Sequence, residues 1–126
     1  MLTKLLASLL IALSIPTASN AQSQPDKILA SLISAFQKCG PPEAYQVLEQ
    51  NVFNIIASQT GGMGCYQAIA VAGPAIDMDL IDQKDHNDGT MSLYRARHAG
   101  GNIIDWTIGI RPSTGKVYFI SFTPSN

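Results

Sequence analysis

The chain has 126 residues, with eight lysine and arginine side chains, nine aspartate and glutamate side chains, and a formal net charge of −1. A length of this order suits a single hydrophobic core. The balanced charge gives no electrostatic basis for binding nucleic acid or anionic lipid. We therefore expect a function that involves neither nucleic acid nor a membrane surface.

The N-terminal residues have the pattern of a secretory signal peptide. One basic residue, Lys4, precedes the apolar run Leu5–Ile15, and Ser19-Asn20-Ala21 supplies the small residues expected before a cleavage site. The run is shorter than the roughly 20 residues of a membrane-spanning helix. Cleavage after Ala21 would separate a signal peptide at 1–21 from a single exported domain at 22–126, periplasmic or extracellular, with no membrane span.

The two cysteines of the chain, Cys39 and Cys65, are predicted to form a disulfide. An exported protein enters an oxidising compartment, where such a pair is oxidised. The alternative is a reactive or metal-binding thiol pair, but the spacing fits no zinc pattern and the chain has only two histidines to complete one. The bond requires the two α-carbons to lie within about 7 Å. We expect no cofactor and no metal.

Two helices are predicted in the first half of the mature chain. The first begins at Ser23, with Asp26 completing a capping-box-like pair, and ends at Gly40. The second begins at Pro42 and extends to about Ser58, followed by a flexible linker at Gln59–Gly64. Their apolar residues recur at helical spacing, so both helices are expected to cover one face of a sheet.

From Cys65 onward the pattern indicates strands. Cys65–Gly73 and Ala75–Ile81 are predicted strands, and Asp82–Gly89 is predicted to be a polar loop that ends in a turn. Met91–Thr123 predicts a three-strand antiparallel meander, with strands at residues 91–98, 103–110 and 117–123. Two helices followed by a curved four- to five-stranded antiparallel sheet define the α+β class.

This order of elements resembles the cystatin-like and NTF2-like folds, in which helices pack on a bent antiparallel sheet. Ile69–Gly73 is similar to the Q-x-V-x-G loop of cystatin protease inhibitors, with Ile69 at the glutamine position. Trp106 lies mid-strand without a preceding proline, unlike the tryptophan hairpin of that family. The resemblance implies a helical layer over one face of the sheet and, in the NTF2-like case, a cone that can hold a small molecule.

Strand alternation separates a charged face from an apolar face. The charged face carries Asp77, Asp79, Arg95, Arg97, Asp105, Thr107 and Ser121. Two interpretations are open. The face is a solvated surface with opposite charges on neighbouring strands, or it is a binding surface on which Arg95 and Arg97 grip a carboxylate of a ligand or partner protein.

The apolar face also has two interpretations. It carries several aromatic side chains and a histidine: Tyr94, His98, Trp106, Tyr118 and Phe122. These residues pack as core beneath the helices, or they line a cavity for a small apolar ligand. Tyr94 and His98 are the polar groups that would lie inside such a cavity.

No motif predicts catalysis. The acidic segment with Asp82, Asp85, His86 and Asp88 lacks the spacing of a calcium loop. His98 and Asp105 could form an acid–base pair, but strand alternation puts them on opposite faces of the sheet. No catalytic residue is therefore assigned.

The leading hypothesis is an exported, non-enzymatic binding protein, for example an inhibitor or immunity-type protein that acts on a periplasmic or secreted enzyme. Its contact surface would be the charged face with Arg95, Arg97 and Asp105, or the segment at residues 82–89. The alternative is an NTF2-like protein, a carrier or small enzyme, with a pocket around Tyr94, His98 and Trp106. A third hypothesis is a structural subunit of an envelope assembly.

Overall fold

The structure, a computed structural model, describes residues 24–125. The predicted signal peptide and the predicted cap at Ser23 lie outside these residues. The elements in chain order are α1 (Gln24–Lys38), a 3-10 helix (Pro42–Val47), α2 (Gln50–Gln59), α3 (Gln67–Ala72), β1 (Ala75–His86), β2 (Gly89–His98), β3 (Ile103–Ile110) and β4 (Val117–Pro124). The strands form an open antiparallel sheet in the order β1-β2-β3-β4. The α+β class is confirmed.

Helix α1 packs on the inner face of the sheet through its apolar stripe. Leu29, Leu32 and Phe36 recur at helical spacing and are fully buried. Opposite them, Trp106 of β3 is also fully buried, with its ring centroid 6.1 Å from that of Phe36 and 5.0 Å from that of Phe122. The hydrophobic core therefore lies between α1 and the middle of the meander. Among the helices of residues 24–125, none is long and apolar enough to span a membrane.

The predicted second helix is divided into a 3-10 helix and α2. Leu48 and Glu49, which separate them, have extended backbones with ψ angles of 141° and 155°. Leu48 forms a parallel bridge with Val117, and the amide of Glu49 donates a hydrogen bond to the Val117 carbonyl at 2.9 Å. Pairing with the start of β4 satisfies backbone groups that a continuous helix would have used. This long-range contact explains the break.

The prediction of a strand at residues 65–73 was wrong, because this segment contains helix α3. A short apolar run does not by itself distinguish a strand from a buried helical turn. Contact with α1 favours the helical conformation. The amide of Tyr66 donates to the Phe36 carbonyl at 2.9 Å, and Ile69 and Ala72 are buried on one side of the helix. The helix ends at Gly73, whose φ of +84° suits glycine.

The predicted loop at residues 82–89 is mostly strand. β1 extends to His86, and the two-residue turn Asn87-Asp88 connects it to Gly89 of β2. Asn87 has a φ of +50°, a conformation that asparagine tolerates better than most residues. Residues 79–86 are exposed, so their pairing with β2 imposes no alternation of apolar and polar side chains. For this reason the strand was not visible in the hydrophobic pattern.

The predicted disulfide between Cys39 and Cys65 is confirmed, with the α-carbons 4.5 Å apart. The bond joins Cys39, which directly follows α1, to Cys65, which lies shortly before α3. The hydroxyl of Tyr45 donates to the carbonyl of Gly64 at 2.6 Å beside the bond. The disulfide thus encloses the 3-10 helix and α2 in one covalent loop.

Candidate binding site

The candidate cavity residues Tyr94, His98 and Trp106 lie in the hydrophobic core, where none is more than 2% exposed. Trp106 Nε1 donates to His98 Nε2 at 3.3 Å, and His98 Nδ1 lies 2.7 Å from the carbonyl oxygen of Gly73. Because Nε2 accepts a hydrogen bond, the ring proton is assigned to Nδ1, which donates to Gly73. Both nitrogens of His98 therefore bind protein groups and attach the end of α3 to the sheet.

Tyr94 connects the sheet to the first turn of α1. Its hydroxyl donates a hydrogen bond to Oδ1 of Asp26. Burial raises the pKa of Tyr94, and the hydrogen bond and charge of Asp26 raise it further. The hydroxyl therefore stays protonated and keeps donating to the carboxylate.

A pair of tyrosine-to-phenylalanine substitutions tests this contact. Tyr94→Phe removes a hydrogen bond to a carboxylate and is expected to lower the free energy of unfolding by about 1.5–3 kcal/mol. Tyr118→Phe is the matched control, because the Tyr118 hydroxyl is buried without a hydrogen-bond partner within residues 24–125. Its removal should change stability by less than about 0.5 kcal/mol, or increase it. Urea unfolding at neutral pH measures both, and equal losses would contradict the assignment.

The pH dependence of the free energy of unfolding of Tyr94→Phe provides a second test of this contact. The pKa of Tyr94 in the folded protein lies above the ordinary value of 10.0. The unfolded chain therefore releases this proton first, and the wild type loses stability as the pH rises above about 10. Tyr94→Phe should lack this part of the loss.

Four of the five charged side chains predicted for the outer face of the sheet form two ion pairs on it, and Asp79 forms none within residues 24–125. Arg95 contacts Asp105 through two hydrogen bonds, Nε to Oδ1 at 2.9 Å and Nη2 to Oδ2 at 3.2 Å. Arg97 Nη2 lies 2.5 Å from Oδ2 of Asp77. The hydrogen bond from Arg95 holds the pKa of Asp105 below its ordinary value. His98 lies on the inner face, so the sheet separates it from Asp105.

The outer face also carries exposed apolar side chains. Phe119 of β4 and Ile103 of β3 are 41% and 42% exposed, and Leu93 of β2, opposite Thr107, is half-buried. Ile103 lies directly opposite Arg97 in the strand register. The outer face is thus a mixed surface of ion pairs and apolar groups.

Tyr118 was predicted on the apolar face, and this prediction was wrong. A register shift between Gly109 and Ile110 leaves Tyr118 as an extra residue in β4. Its ring lies across the outer face, where a Cβ on Gly109 would be 2.7 Å from ring carbon Cζ and one on Gly89 would be 2.6 Å from the hydroxyl. A side chain at either position would therefore displace the Tyr118 ring. The bulge could not be read from strand alternation.

A cluster of polar side chains at the end of the sheet was not predicted from the sequence. Arg111 lies over the Tyr118 ring, 4.7 Å from its centroid, and its Nε is 2.5 Å from Oε2 of Glu49. Ser113 Oγ donates to Asp88 Oδ2 at 2.5 Å. Glu49 is distant in sequence from the other members, so only the folded chain brings them together.

The acidic segment at residues 82–88 is distributed along β1 and its turn. Asp85 accepts a hydrogen bond from Thr90 Oγ1 at 2.8 Å, and Asp82 accepts one from the amide of Gln83 at 2.9 Å. Within residues 24–125, no group of three histidine, cysteine, aspartate or glutamate side chains is arranged to hold a metal ion.

No protein family, curated protein or solved structure matches this chain. The inner face of the sheet is used for packing, whereas the outer face and the edge of β1 present side chains to solvent.

Proposed function

We propose that the mature chain is an exported, non-enzymatic binding protein of the inhibitor or immunity type, which contacts a periplasmic or secreted enzyme through the outer face of its sheet. The observation that carries this proposal is the position of two ion-paired arginines, Arg95 and Arg97, beside the exposed side chain of Ile103 on this face. The alternative contact surface is the segment at residues 82–89, at the end of β1 and in the turn that follows it.

The ion pairs prepare the arginine side chains for binding. Asp105 and Asp77 hold Arg95 and Arg97 in defined positions on the sheet, which reduces the side-chain entropy lost when a partner binds. Arginine and aromatic residues are also enriched at the energetic centres of protein interfaces. Ile103, directly opposite Arg97 in the strand register, supplies exposed apolar area beside this arginine. Arg95, Arg97 and Ile103 form the candidate contact surface.

Export is supported by the N-terminal pattern and by the disulfide. A bond between Cys39 and Cys65 is compatible with an oxidising compartment. The cystatin-like or NTF2-like layout is part of the proposal, supported by a long helix, α1, packed across a four-stranded antiparallel sheet.

The pocket alternative receives less support from the packing of the inner face. Tyr94, His98 and Trp106 are buried, and their polar atoms hydrogen-bond to protein groups. A ligand at this place would have to displace those contacts. The binding-protein proposal needs no such rearrangement.

The test is quantitative binding to a partner captured with the mature 22–126 domain, disulfide intact, from envelope and secreted fractions. Arg95→Ala combined with Arg97→Ala should weaken the affinity for the captured partner by about tenfold or more. Lys27→Ala combined with Lys38→Ala is the matched control, because it removes the same charge from exposed positions of α1. Circular dichroism verifies that both variants remain folded.

Equal affinity of the two double variants would contradict the role of the outer face. If the face is confirmed, an activity assay of the captured enzyme distinguishes its possible roles. Inhibition at a stoichiometric ratio supports an inhibitor or immunity protein. Stoichiometric binding without inhibition instead supports the structural subunit of an envelope assembly.

A further inference from the structure

Strand β1 has an edge that no other element pairs with within residues 24–125. The strand is 12 residues long, and the backbone groups on its free edge can accept a further strand. The opposite edge of the sheet differs, because Leu48 and Glu49 lie against Val117 of β4. Register shifts leave Ile76 and Ile81 as bulge residues in β1, so the regular edge open to a further strand is centred on residues 77–80.

The inner side of this edge is apolar and incompletely covered. Ile76 and Leu80 are 62% and 50% exposed, and Leu80 lies directly opposite the buried Tyr94. A groove of about 400 Å³ separates the start of β1 from α1. Its apolar lining includes Ile76, Met78 and Ile33, and α1 also contributes the polar side chains of Ser34, Gln37 and Lys38. Helix α1 thus leaves the edge of the inner face open. Apolar side chains of an added strand would fill the groove and cover Leu80.

The outer side of the same edge is acidic. Asp77 and Asp79 lie opposite Arg97 and Arg95 in the register, and Asp82 follows on the same face. Neither Asp79 nor Asp82 forms an ion pair within the described part of the chain. Opposite charges stabilise neighbouring strands, and like charges destabilise them. The edge therefore favours a strand with lysine or arginine on this face.

The same charges disfavour a second copy of this chain as the occupant. If two β1 strands paired through this segment, aspartates of one copy would lie beside aspartates of the other. Acidic residues on an exposed edge commonly prevent such self-association. The pattern of β1 thus discourages pairing between copies and leaves the edge available to a basic strand.

We propose that β1 binds an extended segment of a partner protein as a fifth strand, and that this segment alternates apolar side chains with lysine or arginine. Backbone hydrogen bonds to the free edge supply affinity, and alternate side chains supply specificity. The apolar side chains pack beside α1, and the basic side chains approach Asp79 and Asp82. This inference rests on the proposed function, since it names the element of the partner that the protein recognises.

The probe is a capped peptide, Lys-Val-Lys-Val-Lys-Val-Lys, titrated into the disulfide-bonded 22–126 domain and followed by amide NMR and hydrogen exchange. The expected result is slower exchange of β1 amides, with an affinity that falls in about 0.5 M salt. The matched peptide has glutamate in place of each lysine and should not bind. This comparison uses the unaltered protein, so it does not depend on the folding of any variant.

Two pairs of protein variants locate the binding. Asp79→Lys should weaken binding of the lysine peptide by about tenfold, whereas Glu43→Lys, an equal charge change on the exposed 3-10 helix, should not. Leu80→Lys should weaken it by a similar factor, whereas Ile55→Lys on α2, with a similarly exposed starting side chain, should not. Equal effects within either pair would overturn the inference.

Two further outcomes would also overturn it. One is the absence of β1 protection at millimolar peptide. The other is a concentration-dependent dimer of the free protein that Leu80→Lys abolishes, which would make a second copy the occupant. Failure of the added-strand proposal can be distinguished from failure of the proposed function. A captured partner whose affinity depends on Arg95 and Arg97 but not on Leu80 would disprove the added strand and leave the binding protein intact.

Discussion

Removal of the disulfide is expected to lower the free energy of unfolding by about 3–4 kcal/mol, measured for Cys39→Ala combined with Cys65→Ala. The two cysteines are 26 residues apart, and in the chain-entropy model a loop of this length accounts for that value. The folded state should change little, because the Tyr66 amide still donates to Phe36 and the Tyr45 hydroxyl to Gly64. The loss then arises mainly in the unfolded chain.

Urea unfolding of the double variant measures this loss, and the reduced wild type is the matched control. The two proteins lack the same cross-link, so their stabilities should agree. A domain of this size has a total stability of about 5–15 kcal/mol, so the expected loss is a large part of it. A loss below about 1 kcal/mol would show that residues 39–65 are already restricted in the unfolded state.

Replacing Trp106 by alanine is expected to lower the free energy of unfolding by about 3–5 kcal/mol. The side chain is fully buried and contacts Phe36 and Phe122. Its loss leaves a cavity at the centre of the core, and it removes the hydrogen bond from Nε1 to His98. The destabilisation combines lost burial, the remaining cavity and a buried acceptor without its donor.

Trp106→Phe separates these contributions, because it retains a ring in the core and removes the indole donor. Its loss should be clearly smaller than that of the alanine variant. Both are measured by urea unfolding followed by far-ultraviolet circular dichroism, since the chain contains one tryptophan and the variants have none. Equal losses would show that the hydrogen bond to His98, rather than the packing of the ring, is the main contribution of Trp106.

The two largest expected effects concern features that the sequence predicted in different ways. The cysteine pair followed from the residue count and the inferred compartment, without knowledge of the fold. The position of Trp106 on the apolar face followed from strand alternation, but the sequence left open whether that face was core or cavity lining. The contacts of Trp106 with α1 identify it as core.

The candidate site likewise combines features that the sequence predicted with features that only the structure shows. Alternation located Arg95 and Arg97 on the face opposite His98, because successive side chains of a strand point to opposite sides. Asp105 and Asp77 contact those arginines across strands whose register depends on the turns and on the bulges in β1. The exposed edge of β1 was not predicted, since an element that pairs on one side only is identified by the topology of the sheet.

The sequence by itself determined the elements whose signals are local: the first helix, the three strands of the meander, the turns between them and the cysteine pair. The tertiary structure alone decided the break at Leu48, the helix at residues 67–72, the extension of β1 to His86 and the position of Tyr118. The break at Leu48 and the helix at residues 67–72 depend on backbone hydrogen bonds to Val117 and Phe36, far away in the chain. The extension of β1 and the position of Tyr118 depend on the register within a hairpin. Periodicity describes which side of an element is apolar, whereas long-range hydrogen bonds and register determine where the element stops and which face it presents.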